Sequence, residues 1–508
     1  MRRLPLWLAL TAILSGPLPA QDAAPLSIID WLSQSVDDAT TLDQSSNEPP
    51  VAESAQAPRV IVSPLDSPSP DPVGLLSSEM TGLPDDLWAR SDSATLEQLV
   101  AARAPLTLPA LTGFRRILLL AEAEAPIGAG PQGDLFLARV DALLDQAALE
   151  QALALLQAAG PDDPTLFRRY FDVALLTGTE DRACQIMAAR PAIAPTYPAR
   201  IFCLARRGDW PAAALTLNTH RVLGDVSEAE DALLSRFLDP TLYEEDGPLP
   251  LPERVTPLIF RMHEAIGENL NTSPLPLAFA HADLRDTSGW KVQLEAAERL
   301  ARHSAIPPNQ LQALYTARRA SASGGVWERV AAFQDFDTAL RAKDPAALDQ
   351  TLPIVWDAMK RTRAEVAFST LYADEITEFS LGPEATEIAV QMGLLSEHYE
   401  EIAGSPLPMD PFLRGLARGD LSGLAPTDPK RRAIQEAFAD RSPPAALQSL
   451  ASEGKLGEAL LRAIALCETG IAGDPAALRD ALSFFRTVGL EDLARRVSMQ
   501  SLLLDRSI

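Results

Sequence analysis

The stretch that most constrains this chain is Leu204 to Leu217, LARRGDWPAAALTL. It reads as the end of one helix, a tight turn through Gly208, and the start of a second helix at Asp209. Glycine accepts the left-handed conformation that closes a helix, and aspartate caps the next one. Pro211 fits a first helical turn, where the missing N–H costs nothing. Ala212, Ala213 and Ala214 carry no bulk, so a neighbouring helix can approach closely.

Variants of this unit recur. Residues 135–144 with 147–158, 165–176 with 179–189, and 197–207 with 209–223 read as three helix pairs. Gly178 and Gly208 hold equivalent turns 30 residues apart. Towards the carboxyl end Gly419, Gly454 and Gly489 stand 35 apart, in LARGDLSGL, LASEGKLGEAL and FRTVGLEDLA. Asp344 and Asp474 each open an Asp-Pro-Ala-Ala-Leu start, a cap followed by a first-turn proline. A period of about 30–37 residues marks an α-solenoid, in which each pair buries its apolar stripe against its neighbours. Composition agrees: of 508 residues 47% are hydrophobic but only 6% aromatic, with Leu and Ala dominant, which favours an all-α fold.

The segment Ala205-Arg206-Arg207-Gly208-Asp209-Trp210-Pro211-Ala212-Ala213 and the glycine series resemble the tetratricopeptide-like superfamily. The similarity covers Asp134–Leu223 and Phe412–Leu504, although the usual Trp-Leu-Gly-Tyr positions are not matched in order. It implies a right-handed α-α superhelix with a concave binding face, and no reaction. The helical superhelix of soluble lytic transglycosylases is a second similarity. Their catalytic Glu-Ser setting has no counterpart here, since Glu53-Ser54 lies in a linker.

The amino end reads as a leader. Arg2 and Arg3 precede an apolar run, Leu4 to Leu14, that is too short to span a bilayer comfortably, and Pro19-Ala20 precede polar Gln21-Asp22. Removal near Ala20 takes away two arginines and no acid, changing the net charge from −25 to −27. Such acidity argues against nucleic acid or an anionic membrane surface as partner. The expected location is the bacterial periplasm.

Residues 21–36 contain a short amphipathic segment in which Ile28, Ile29, Leu32 and Val36, with Trp31 beside them, are the candidate partner-docking side chains. Asp43 to Gly74 holds seven prolines among Ser, Asp and Glu, so residues 37–80 are expected to be a disordered tether. Ordered structure is then expected as an N-terminal helical-repeat block (81–245), a less repetitive central block (246–341) and a C-terminal block (342–508). In the central block Arg285, Trp290, Lys291, Arg318 and Arg319 are candidates to line a groove for an acidic partner.

The chain has three cysteines. Cys184 and Cys203 fall on consecutive helices, where they either pair in an oxidising compartment or sit as two small core residues. Cys467 has no evident partner.

The sequence carries no recognisable catalytic motif. In His263-Glu264-Ala-Ile-Gly267 glycine stands where His-Glu-x-x-His needs its second imidazole. His281 and Asp283, two apart, diverge on a helix. No Cys-x-x-Cys, no Gly-x-Ser-x-Gly and no phosphate-cradling glycine loop occurs, so neither metal nor cofactor is expected. These readings point to a non-catalytic exported scaffold that binds another envelope protein. The alternatives are an accessory protein of the flagellar motor, of the MotC type, and a peptidoglycan-associated enzyme.

Overall fold

The computed structural model describes residues 69–102, 107–243, 245, 247–320, 323–440 and 442–504. The leader, the 21–36 segment and most of the expected tether lie outside them. Regular structure among the described residues is helical, with two isolated β-bridges, Leu76–Ala121 and Asp92–Ile127. None of the described helices is long and apolar enough to cross a membrane.

Helices stack on their sequence neighbours, as an α-solenoid requires. The Tyr197–Arg206 helix packs along Trp210–Leu223, and Asp134–Asp145 along Leu149–Ala159. Local chemistry sets the starts. Asp163, Asp344, Asp410, Asp428 and Asp474 each precede a first-turn proline and accept a hydrogen bond from a backbone N–H of that turn. Ser227 and Glu230 form a reciprocal capping box. Ahead of the Ser93–Ala101 helix the cap is Asp92, which accepts from Thr95 N–H at 3.0 Å.

The turn glycines behave alike. Gly208, Gly419, Gly454 and Gly489 all have φ between 75° and 89°. Ala147 (φ 53°), Lys343 (φ 50°) and Arg363 (φ 58°) occupy the same left-handed position in other helix–helix turns, without glycine. The sequence suggests a helix over Leu275–Arg285, and the structure has a 3-10 helix over Leu277–Leu284. Buried side chains from Leu83 to Leu504 form one connected core shared by all three sequence blocks.

Two features were not evident in the sequence. First, residues 69–80 belong to the folded body rather than to a linker. Arg139 is fully buried and fastens them: its guanidinium donates to the carbonyls of Asp71 (3.0 Å), Val73 (2.9 Å), Leu119 (2.8 Å) and Ala121 (2.9 Å). Asp71 Oδ1 in turn accepts from Phe136 N–H at 2.7 Å, doing for the Asp134–Asp145 helix what its N-cap Gly133 has no side chain to do.

Second, the two ends of the helical array are in contact. The Pro109–Leu120 helix packs against Leu456–Ile471 and Glu491–Leu503. Its N-cap is Leu108, which offers no side-chain acceptor. The C-terminal helices supply acceptors instead: Gln500 Oε1 takes the Ala110 N–H at 2.9 Å, and Glu468 takes the Thr107 N–H at 3.2 Å. Gly457 N–H donates to the Leu87 carbonyl at 3.1 Å, and the rings of Phe114 and Phe485 meet edge to face at 6.2 Å.

Candidate functional site

The groove candidates are dispersed in their roles. Trp290 is buried; its indole N–H donates to the Leu314 carbonyl at 2.9 Å, and its ring lies 5.2 Å from that of Trp327. Arg285 is half-buried. Its Nε donates to the Ala282 carbonyl at 2.9 Å and its Nη2 to Glu264 at 2.6 Å. Glu264 also pairs with Arg261, which reaches the buried Glu180 at 2.6 Å, and Arg206 joins Glu180 at 3.3 Å. This ion chain ties the Glu180–Ala189, Tyr197–Arg206 and Pro257–Ala265 helices to the 3-10 stretch. Removing one member of such a chain leaves a buried charge uncompensated.

Lys291 is exposed and pairs with Glu295 at 3.6 Å. Arg318 and Arg319 are exposed beyond the end of the Pro308–Thr316 helix, and the Arg318 carbonyl accepts from Gln334 at 2.6 Å. Trp290 is thus committed to the interior and the half-buried Arg285 to its bond with Glu264, while the other three are exposed. The burial of Trp290 follows from its place at the start of a helix whose apolar face, with Leu294, Ala297 and Leu300, turns into the core. The docking candidates Ile28, Ile29, Trp31, Leu32 and Val36 lie outside the described residues.

His281 is buried, and its Nε2 lies 3.1 Å from the Ala147 carbonyl, to which it donates. Burial drives its pKa down to about 3 against that hydrogen bond, so the imidazole is neutral and its role is to tie the central block to the N-terminal one. His263 lies 3.9 Å from Glu268, and burial lowers its pKa as well. Among the described residues no group of three or more His, Cys, Asp or Glu side chains is arranged to hold a metal ion.

A pocket of about 430 Å³ opens where the first turns of the Tyr399–Gly404 and Glu491–Leu503 helices meet. Glu400, Glu401, Glu491 and Asp492 line it, where carboxylates also favour the helix N-termini. Arg495 bridges Glu400 at 2.5 Å and Glu491 at 3.3 Å. Tyr399 donates to Asp492 at 2.8 Å, and burial followed by that carboxylate raises the phenol well above its usual range. At the rim His398 meets Asp374 at 2.7 Å, and this hydrogen bond raises the imidazole pKa. The pocket is an acidic, ion-paired depression. Its sequence trace was present in Glu400-Glu401 and Glu491-Asp492 at two helix starts, but nothing local joins those starts across the 90 residues between them.

Cys184 and Cys203 are joined by a disulfide between the Glu180–Ala189 and Tyr197–Arg206 helices, with a Cα–Cα distance of 5.1 Å. Cys467 is free and buried, and burial raises its thiol pKa.

The fold therefore defines the class: an all-α chain of paired helices stacked in sequence order. Comparison with protein-family models, with curated proteins and with solved structures found no significant match.

Proposed function

We propose that the chain is a non-catalytic, exported helical-repeat scaffold that binds another protein of the bacterial envelope. The disulfide between Cys184 and Cys203 is the observation that carries the reading, because such bonds persist in oxidising compartments and are rare in the cytosol. It agrees with the basic and apolar start of the sequence, Arg2 to Leu14. The stacked helices favour binding, since arrays of this kind present extended surfaces built from many short units. The ion pairs of the acidic pocket and the neutral, buried His281 have structural roles that account for them without a reaction.

Expression of the full chain with a carboxyl-terminal tag in a bacterial host, followed by fractionation and intact mass, tests the location. The expected result is a periplasmic product cut near Ala20 with Cys184 and Cys203 oxidised, retaining an envelope protein on affinity capture. An uncut cytosolic product with both thiols reduced contradicts the reading.

A further inference from the structure

The Trp210–Leu223 helix has two apolar faces. One holds the buried Ala213 and Leu217, and an amphipathic surface helix needs only that one. The other carries Pro211, Leu215, Asn218 and Val222, all exposed, with Leu215 at 69% and Val222 at 87% of full exposure. Steps of four, three and four residues place these on a single stripe, the spacing of a seam between paired helices.

Exposed apolar surface concentrates around this helix, with Leu215 and Val222 on the stripe itself. Of twelve large apolar side chains exposed among the described residues, seven lie between Tyr197 and Leu251, four of them on this helix. Residues 210–224 contain no Asp or Glu, in a chain of net charge −25.

We infer that this face is a self-association surface, on which the Trp210–Leu223 helix packs against the same helix of a second copy across a two-fold axis. Three observations favour a second copy over a different occupant. Two copies of so acidic a chain repel over most of their surface, and an acid-free stripe is where they meet without that cost. A two-fold contact must be self-complementary, and an antiparallel pairing lays this stripe on itself. Asn218 sits within the seam, its side-chain oxygen held by Arg221 at 2.9 Å, and a polar seam residue fixes the register of paired helices. A helix of 14 residues is about 21 Å long and supplies several hundred Å² per copy, the low end for a specific interface. The dimer is accordingly a weak, reversible one.

The test is sedimentation of the full mature chain over a concentration range that brackets micromolar. The expected result is a reversible monomer–dimer equilibrium, weakened on the order of 100-fold or more in Leu215→Glu/Val222→Glu. Both positions are exposed, so the circular dichroism melt of that variant stays at the wild-type value. Ile354→Glu, an exposed apolar site elsewhere, leaves the equilibrium unchanged. Should the double variant lose its fold, Leu215→Cys gives the same information: its maleimide labelling slows as protein concentration rises through the dimerisation range. A wild-type chain that stays monomeric overturns the inference. Rapid labelling of Leu215→Cys in that monomer then means an open face, and slow labelling means cover by the chain's own residues. A dimer that survives the double variant overturns it equally.

Discussion

Glu468 accepts two hydrogen bonds from Thr107, one from its backbone N–H at 3.2 Å and one from its hydroxyl at 3.1 Å, across 361 residues of chain. With Gln500 it completes the N-terminus of a helix that begins at Leu108 without a cap of its own. The last helices of the array thus finish one of the first, and the stack is joined end to end.

This junction has a pH signature. Burial pushes the Glu468 carboxyl up to about 7 from its ordinary 4.5, against the Thr107 hydrogen bonds that lower it. Between those two values the folded chain binds more protons than the unfolded one. The contribution of Glu468 to stability is therefore fully present below 4.5 and is lost as the pH rises through about 7. Glu468→Gln keeps an acceptor for the Thr107 N–H and removes the titration. Denaturant midpoints measured from pH 4 to 8 should fall with rising pH in the wild type more steeply than in the variant. Parallel profiles would contradict this assignment.

Gly457 allows the junction to close. A β-carbon there would lie 2.4 Å from the Trp88 ring and 2.6 Å from the Leu87 carbonyl oxygen. Gly457→Ala is expected to cost roughly 2–4 kcal/mol, because both neighbours are fixed, one as a buried indole and one as backbone. Gly404→Ala, with open space around the new methyl, is expected to be neutral or stabilising. Urea unfolding of the two variants side by side checks the contrast.

Arg139 is expected to be among the costliest positions to change. Its pKa is lowered to about 10 by burial, and four carbonyl oxygens hold the guanidinium. Lysine cannot reproduce that fork. Arg139→Lys should lose about 3 kcal/mol or more, with new protease cleavage around residues 70–76 preceding global unfolding. Limited proteolysis with mass mapping of the fragments gives the order of events.

The helix–helix turns predict an effect of opposite sign. Lys343 is exposed and held at φ 50°, a conformation costing a residue with a β-carbon about 1 kcal/mol. Lys343→Gly should therefore stabilise by roughly 0.5–1 kcal/mol, while Gly208→Ala, at φ 84°, should destabilise by about 1–2 kcal/mol. Equilibrium unfolding of both variants decides it.

These turns also explain how far the sequence could be read. Gly208, Gly419, Gly454 and Gly489 announce their helix pairs because glycine is the residue such a turn prefers. Ala147, Lys343 and Arg363 make the same turn without glycine, so the glycine series does not mark every helix pair. The Asp-Pro starts were legible for the same local reason, since a cap and a first-turn proline act within four residues. The groove candidates were read from residue type alone. An aromatic or an arginine near a loop has the same appearance whether it faces a partner or, as with Trp290 and Arg285, the Leu314 carbonyl and Glu264. Contacts between distant segments leave no local trace. Asp71 standing in for a missing cap at Gly133, and Glu468 doing so near Leu108, are visible only as helix starts that lack an acceptor.

Joined ends are the central claim, and spin labelling addresses it directly. The Arg90 side chain lies against Gly454, and Arg90 and Glu453 are both exposed. The native cysteines are either bridged or buried, so Arg90→Cys/Glu453→Cys takes label at the two new sites alone. The frozen spectrum of the doubly labelled full chain should show strong dipolar broadening that the two singly labelled variants lack. A doubly labelled spectrum equal to the sum of the single ones would mean that the ends stand apart and the helical array is open.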